Sequence, residues 1–139
     1  MKNVILFCIF FSLIKSYSQQ IEKHQWKNRV LLVFSNTKDD EKFQRQIEIL
    51  SKEKKGLSER KLKIYQFSEN QFTTDFNTAW FSSTLTIKKY IRNSEGFKVV
   101  LVGLDGGIKV EQTSLLSTEK LFAIIDGMLM RREEIRNKN

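Results

Sequence analysis

Proline is missing from the chain altogether, and cysteine and histidine occur once each, as Cys8 and His24. Cis peptide bonds are nearly confined to X–Pro, so every conventional cis position is gone. One histidine and one cysteine leave little for a zinc site, which draws mainly on those two residue types. A Ser-His-Asp site would have to use His24, which lies in a polar segment with nothing in the sequence to position it. Only six glycines are present. Asp105-Gly106-Gly107 is too short for a phosphate-cradling loop and reads instead as a turn. The net charge is +8, but acids are scattered among the bases. No basic stripe carries interleaved aromatics, so nucleic acid is not indicated as a partner.

Long apolar runs are also absent. The longest, Val4 to Ile14, covers eleven residues, whereas crossing a bilayer takes about twenty. With Lys2 before it and Ser16-Tyr17-Ser18 after it, the run reads as a signal peptide over residues 1–18, cut before Gln19. This excludes a membrane span after cleavage and predicts an exported, periplasmic or secreted protein. It also removes Cys8. The mature chain then holds no thiol, no disulfide and no cysteine nucleophile. Neither repeats nor a Ser/Gly linker divide residues 19–139, which are expected to form a single domain.

What remains is rich in phenylalanine, with eleven residues. Arg29 to Ser35 is apolar and β-branched, as a central strand should be. Phe43, Ile47 and Leu50 fall on one face of a helix that starts within Asn36 to Asp40, with Asp39, Asp40 and Glu41 in its first turn, and runs to about Lys54, with Gly56 as its stop. Lys61 to Phe67 is a second strand. Ser68 to Ser83, with Phe72, Phe76, Trp80 and Phe81 among Thr, Asn and Ser, reads as an irregular insertion anchored by aromatics. Thr84 to Arg92 reads as a short helix. Phe97 to Val110 then forms two strands turned at Asp105-Gly106-Gly107. Ser117 is a candidate N-cap for a last helix running to about Arg136. Leu121, Phe122, Ile124, Ile125, Met128 and Leu129 fill its apolar arc.

The order strand, helix, strand, helix, strand, strand, helix predicts an α/β fold of thioredoxin-like type. About four strands would form a central mixed sheet flanked by helices. A ferredoxin-like sandwich is the alternative, but it needs the second and third strands joined directly, and residues 68–96 stand between them. In a thioredoxin fold the chemistry sits where the first strand meets the first helix. That junction reads Ser35-Asn36-Thr37-Lys38-Asp39-Asp40 and offers no thiol. Gly96-Phe97 stands where the fold's cis-proline would be.

The segment Asp126 to Glu134 is harder to explain as packing alone. Asp126 borders the apolar arc, and Arg132 lies within it. Gly127 costs about 1 kcal/mol relative to alanine inside a helix, which points to the close approach of another backbone. Either Arg132 snorkels its head to water at the helix end, or Asp126 and Glu134 form a partly buried ion-pair cluster with Arg131 and Arg132; a structural role is expected ahead of a catalytic one.

Two segments resemble domain-of-unknown-function family 4174. One is Phe97 to Lys109, with Asp105, Gly106, Gly107 and Lys109. The other is Leu121 to Glu134, with Asp126, Met128, Arg131, Arg132 and Glu134. Arg29 to Phe34 and Leu57 to Leu62 resemble the family's first strand and the approach to its second. Leu104 stands where the family usually has lysine, and Leu129 where it usually has proline. The second change is expected to leave the last helix uninterrupted. The resemblance implies a thioredoxin-like domain related to peroxiredoxins, without a demonstrated activity. Such domains occur in small exported bacterial proteins and in extracellular sushi-repeat proteins. Together these features predict an exported, non-redox binding or interaction domain with no cofactor, whose partner is a protein or an envelope ligand. The alternatives are an enzyme using Asp126, Arg131 and Arg132, and a polyanion-binding surface.

Overall fold

The computed structural model describes residues 21–83, 90 and 96–139. The expected signal peptide, and all of the expected helix over 84–92 except Tyr90, lie outside them. The protein is α/β. Six strands form one mixed sheet, β1 (Arg29–Phe34), β2 (Leu62–Ser68), β3 (Gln71–Thr74), β4 (Phe81–Ser82), β5 (Lys98–Val102) and β6 (Ile108–Gln112), in the order β4-β3-β2-β1-β5-β6. β1 and β2 are parallel, and every other neighbouring pair is antiparallel. The helices are α1 (Glu41–Ser51), α2 (Lys54–Glu59), α3 (Thr118–Asp126) and α4 (Leu129–Lys138).

Strand alternation sorts the core into two layers. Leu31, Val33, Ile64, Val99 and Leu101 face the helices and pack with Phe43, Leu50, Leu57, Leu116, Leu121 and Ile125. Val30, Leu32, Tyr65, Phe67, Val100 and Val102 face the other way and pack with Ile21, Phe72 and Tyr90. Both faces of β1 are therefore buried, which is why it reads as a continuous apolar run. Gln46, fully buried on α1, donates from Nε2 to the Leu116 carbonyl at 2.9 Å and accepts from the Leu116 amide at 2.8 Å. This paired bond docks α1 against the segment leading to α3 without leaving its amide unsatisfied.

Four expectations are corrected. The sheet has six described strands rather than about four, because part of the segment 68–83 is paired. Glu69 and Asn70 both take positive φ, 53° and 59°, which a two-residue type I′ turn requires, and this folds β3 back onto β2. Gly56 does not stop a helix. It lies within α2, where an added Cβ would sit 2.7 Å from the Phe122 ring. The last helix is not continuous, since α3 ends at Asp126 with Gly127 as its C-cap and α4 starts after an extended Met128 (φ −72°, ψ 141°). Nor, among the described residues, does the backbone of another element come within 4 Å of a Cβ added at Gly127. The nearest atoms to an added Cβ are the carbonyls of Ala123 and Ile124, in its own helix.

The break changes which residues face inward. Ile125 is fully buried, whereas Leu129, expected in the same arc, is 78% exposed. Ile125→Ala should therefore cost about 2–5 kcal/mol of unfolding free energy, and Leu129→Ser less than about 0.5 kcal/mol. Urea denaturation of both variants checks this. A large loss for Leu129→Ser would restore the continuous helix.

Candidate functional site

Arg29 is the first residue of β1 and shares its orientation with Leu31 and Val33. Its guanidinium is therefore carried under the helical layer, and the residue is 1% exposed. Nη1 donates to the Arg60 carbonyl at 2.9 Å and to both oxygens of Glu134, at 3.4 and 3.3 Å. Nε and Nη2 are buried and meet no acceptor among the described residues.

A second set of ion pairs adjoins it. Arg60, between α2 and β2, grips Asp126 with two bonds, Nε to Oδ1 at 3.0 Å and Nη2 to Oδ2 at 2.8 Å. Its guanidinium lies 3.9 Å over the Phe122 ring. Arg131, on the first turn of α4, reaches Asp126 from Nε at 3.3 Å. From Nη1 it reaches the Glu59 carbonyl at 3.0 Å and Glu134 at 3.3 Å. Lys61 lies 3.8 Å from Glu134. Four cations thus share two carboxylates, an excess of positive charge beneath α4. Burial alone would raise the Asp126 carboxyl. The hydrogen bonds and charges of Arg60 and Arg131 outweigh it and hold the group below its ordinary value.

The turn expected at Asp105-Gly106-Gly107 is present within a five-residue loop. Gly103 donates to the Gly107 carbonyl and Gly106 donates to the Gly103 carbonyl, and Gly106 has φ +80°. Asp105 accepts from the Gly107 amide and from Lys109 Nζ, both at 2.9 Å. The Lys109 bond, first, and then the Gly107 amide keep its carboxyl below the usual range. Gly103 leaves room for the Lys109 side chain, because an added Cβ would lie 2.6 Å from its Cε.

Between this loop and the start of α4 lies a cavity of about 300 Å³. Its walls are Leu104, Met128, Leu129 and Met130 on the apolar side, with Arg29, Asp105 and Lys109 on the polar side. Arg29 therefore joins the two segments singled out in the sequence. Asp105, Lys109 and Met128 line the cavity, while Asp126, Arg131 and Glu134 form the ion-pair layer beside it. Gly106 packs near Gln25 instead. Arg132 is corrected. The break at Met128 turns it out to solvent and brings in Arg131, which is 6% exposed.

Arg29 and Arg60 were not singled out by sequence reasoning. A charged residue opening an apolar strand was the available signal for the first. Its place in the Leu57 to Leu62 motif was the signal for the second.

Residues 20–134 match the family described as "Domain of unknown function (DUF4174)". The chain belongs to this family. No curated protein matches the sequence. In this DUF4174 chain, Leu129 occupies the first helical position of α4. A proline would be tolerated there because the amide has no intrahelical acceptor, so the proline that the resemblance places at this position is compatible with the break at Met128.

Two other places in the DUF4174 domain hold polar side chains in defined contacts. At the β1–α1 junction the Asp40 side chain accepts from the Phe43 amide at 2.9 Å, so the helix start is already capped. Lys38 there bonds Gln71 at 2.6 Å and lies 4.4 Å over the Trp80 ring. His24 is held more firmly than expected. Its Nε2 lies 2.8 Å from the Tyr65 hydroxyl and its Nδ1 3.2 Å from Asn28 Oδ1. Burial, first, lowers the His24 pKa, and burial pushes the Tyr65 hydroxyl up to about 12. A neutral imidazole accepting from Tyr65 and donating to Asn28 satisfies both partners. Among the described residues no three His, Cys, Asp or Glu side chains gather as a metal site requires, and no helix is long and apolar enough to cross a membrane.

The depressed Asp126 pKa has a fixed sign. Its contribution to stability is complete above the unfolded value of about 3.9 and is lost as pH falls through the lower folded value. Asp126→Asn should cost about 1–2 kcal/mol at pH 7, discounted because the side chain is 37% exposed. Urea titrations at pH 7 and pH 2 should show that difference shrinking in acid. A difference that stays constant with pH would contradict the pairing.

Proposed function

We propose that this protein is an exported, non-catalytic binding module of thioredoxin-like fold, and that the cavity beside Arg29 is its binding site. The observation that carries the reading is the buried guanidinium of Arg29, a residue that lines the cavity and whose Nε and Nη2 meet no acceptor among the described residues. Buried donors are rarely left without partners, and each exception calls for an explanation, of which a binding role is one. The thioredoxin-like reading is supported by the strand sequence β2-β1-β5-β6, with a parallel β1–β2 pair and a closing antiparallel hairpin followed by α3. In a ferredoxin-like split βαβ another strand would separate β1 from β2. Export is supported by Lys2, the apolar run and the small residues before Gln19.

Binding is favoured over turnover by the state of the acids. Asp126 and Asp105 are both held ionised by cations, whereas a general acid or base works best with a pKa near the operating pH. Arg132, part of the enzyme alternative, faces solvent. The polyanion alternative has less support, since several of the bases are already engaged in ion pairs.

The test uses the protein purified after export from a bacterial host. Its intact mass should correspond to a chain starting at Gln19. A panel of sugars, amines, carboxylates and nucleotides is then titrated while backbone amide resonances are followed. At least one compound should saturably move the amides of residues 103–107 and 128–130 and be recovered unchanged. A panel that leaves those amides unmoved, or a compound recovered chemically altered, contradicts the binding reading. A retained leader contradicts export.

A further inference from the structure

We infer that the cavity takes a monocarboxylate carrying an apolar chain. This rests on the binding reading above and assigns its ligand class. Nε and Nη2 of Arg29 form one edge of the guanidinium, the kind of planar two-donor edge that receives a carboxylate through two parallel hydrogen bonds. Among the described residues that edge meets no acceptor, while Nη1 is already committed to Arg60 and Glu134.

Two further features favour an anion. The ion-pair layer around Arg29 holds four cations and two carboxylates, so it accommodates another negative charge without leaving a carboxylate unpaired. The first turn of α4 borders the same cavity. No side chain caps it and it carries no acid, so its amides and the positive end of its dipole are not neutralised locally.

The rest of the wall specifies the other half of the ligand. Leu104, Met128, Leu129 and Met130 offer apolar surface, and methionine side chains adapt readily to an inserted chain. Both free donors are screened from solvent, so entry requires such side chains to yield. A cavity of about 300 Å³ is at the small end of ligand sites and suits roughly ten non-hydrogen atoms. A free medium-chain acid and a polypeptide C-terminus with an apolar last residue share this chemistry.

The test titrates the exported protein with octanoate, octanol, octylamine and acetate, and with a leucine-terminated peptide as free acid and as amide. Octanoate or the free-acid peptide should move the amides of residues 103–107 and 128–130. It should bind at least tenfold more tightly than its neutral counterpart and than acetate. Preference between the two identifies the source, and either supports the class.

Arg29→Lys keeps the charge but removes the planar edge, and should weaken octanoate at least tenfold. Because Arg29→Lys could impair folding, Leu129→Glu provides the second test. This exposed change should weaken octanoate comparably while the melting temperature holds. Octanol binding as tightly as octanoate, or octanoate indifferent to both variants, overturns the assignment. If octanoate and the free-acid peptide both fail while octylamine or a sugar moves the same amides, the binding module stands and the ligand class falls. If nothing moves them, both fall.

Discussion

A guanidinium taken out of water needs acceptors, and in this protein the need arises at the first residue of the central strand. Arg29 meets it with the Arg60 carbonyl and the Glu134 carboxylate, and these partners come from two different parts of the chain. One lies between α2 and β2 and the other on α4. The last helix depends on this arrangement. Its only buried residue is Arg131, so α4 contributes little apolar burial and is held by polar contacts. Arg131 and Glu134, one turn apart, face the same layer that Arg29, Arg60 and Asp126 occupy.

Such a layer is a poor device for stability alone. Desolvating two charges often costs as much as their attraction returns, and apolar replacements can be as stable. Half-used donors make the balance worse. The edge of Arg29 that meets no acceptor among the described residues is the feature that the proposed ligand would engage. The hairpin loop supports the same view. Asp105, Gly107 and Lys109 bond one another, which puts a polar rim opposite Met128 and Met130.

Much of this was legible in the sequence. β1, β2 and the β5–β6 hairpin carry β-branched runs and an Asp-Gly turn, and α1 and α3 carry clear helical periodicity with Asp40 and Ser117 as caps. β3 was not legible, because its turn uses Glu69 and Asn70 in a backbone conformation that glycine signals more openly. The break at Met128 was hidden because apolar periodicity continues through it and no proline or second glycine marks it. That break decides that Arg131, not Arg132, turns inward. Arg29 and Arg60 were hidden for a different reason. Their importance comes from contacts across more than sixty residues of sequence, such as Arg60 to Asp126 and Arg29 to Glu134. No local pattern encodes those contacts.

The central claim is that Arg29 and Glu134 are coupled and that their pairing docks α4 onto the sheet. A double-mutant cycle measures this directly. Arg29→Met, Glu134→Gln and the double variant are unfolded in urea at pH 7. The account predicts that the two changes are not additive, with a coupling of about 1–3 kcal/mol. Losses that add to within about 0.3 kcal/mol would mean that Arg29 and Glu134 act independently, and would contradict the account.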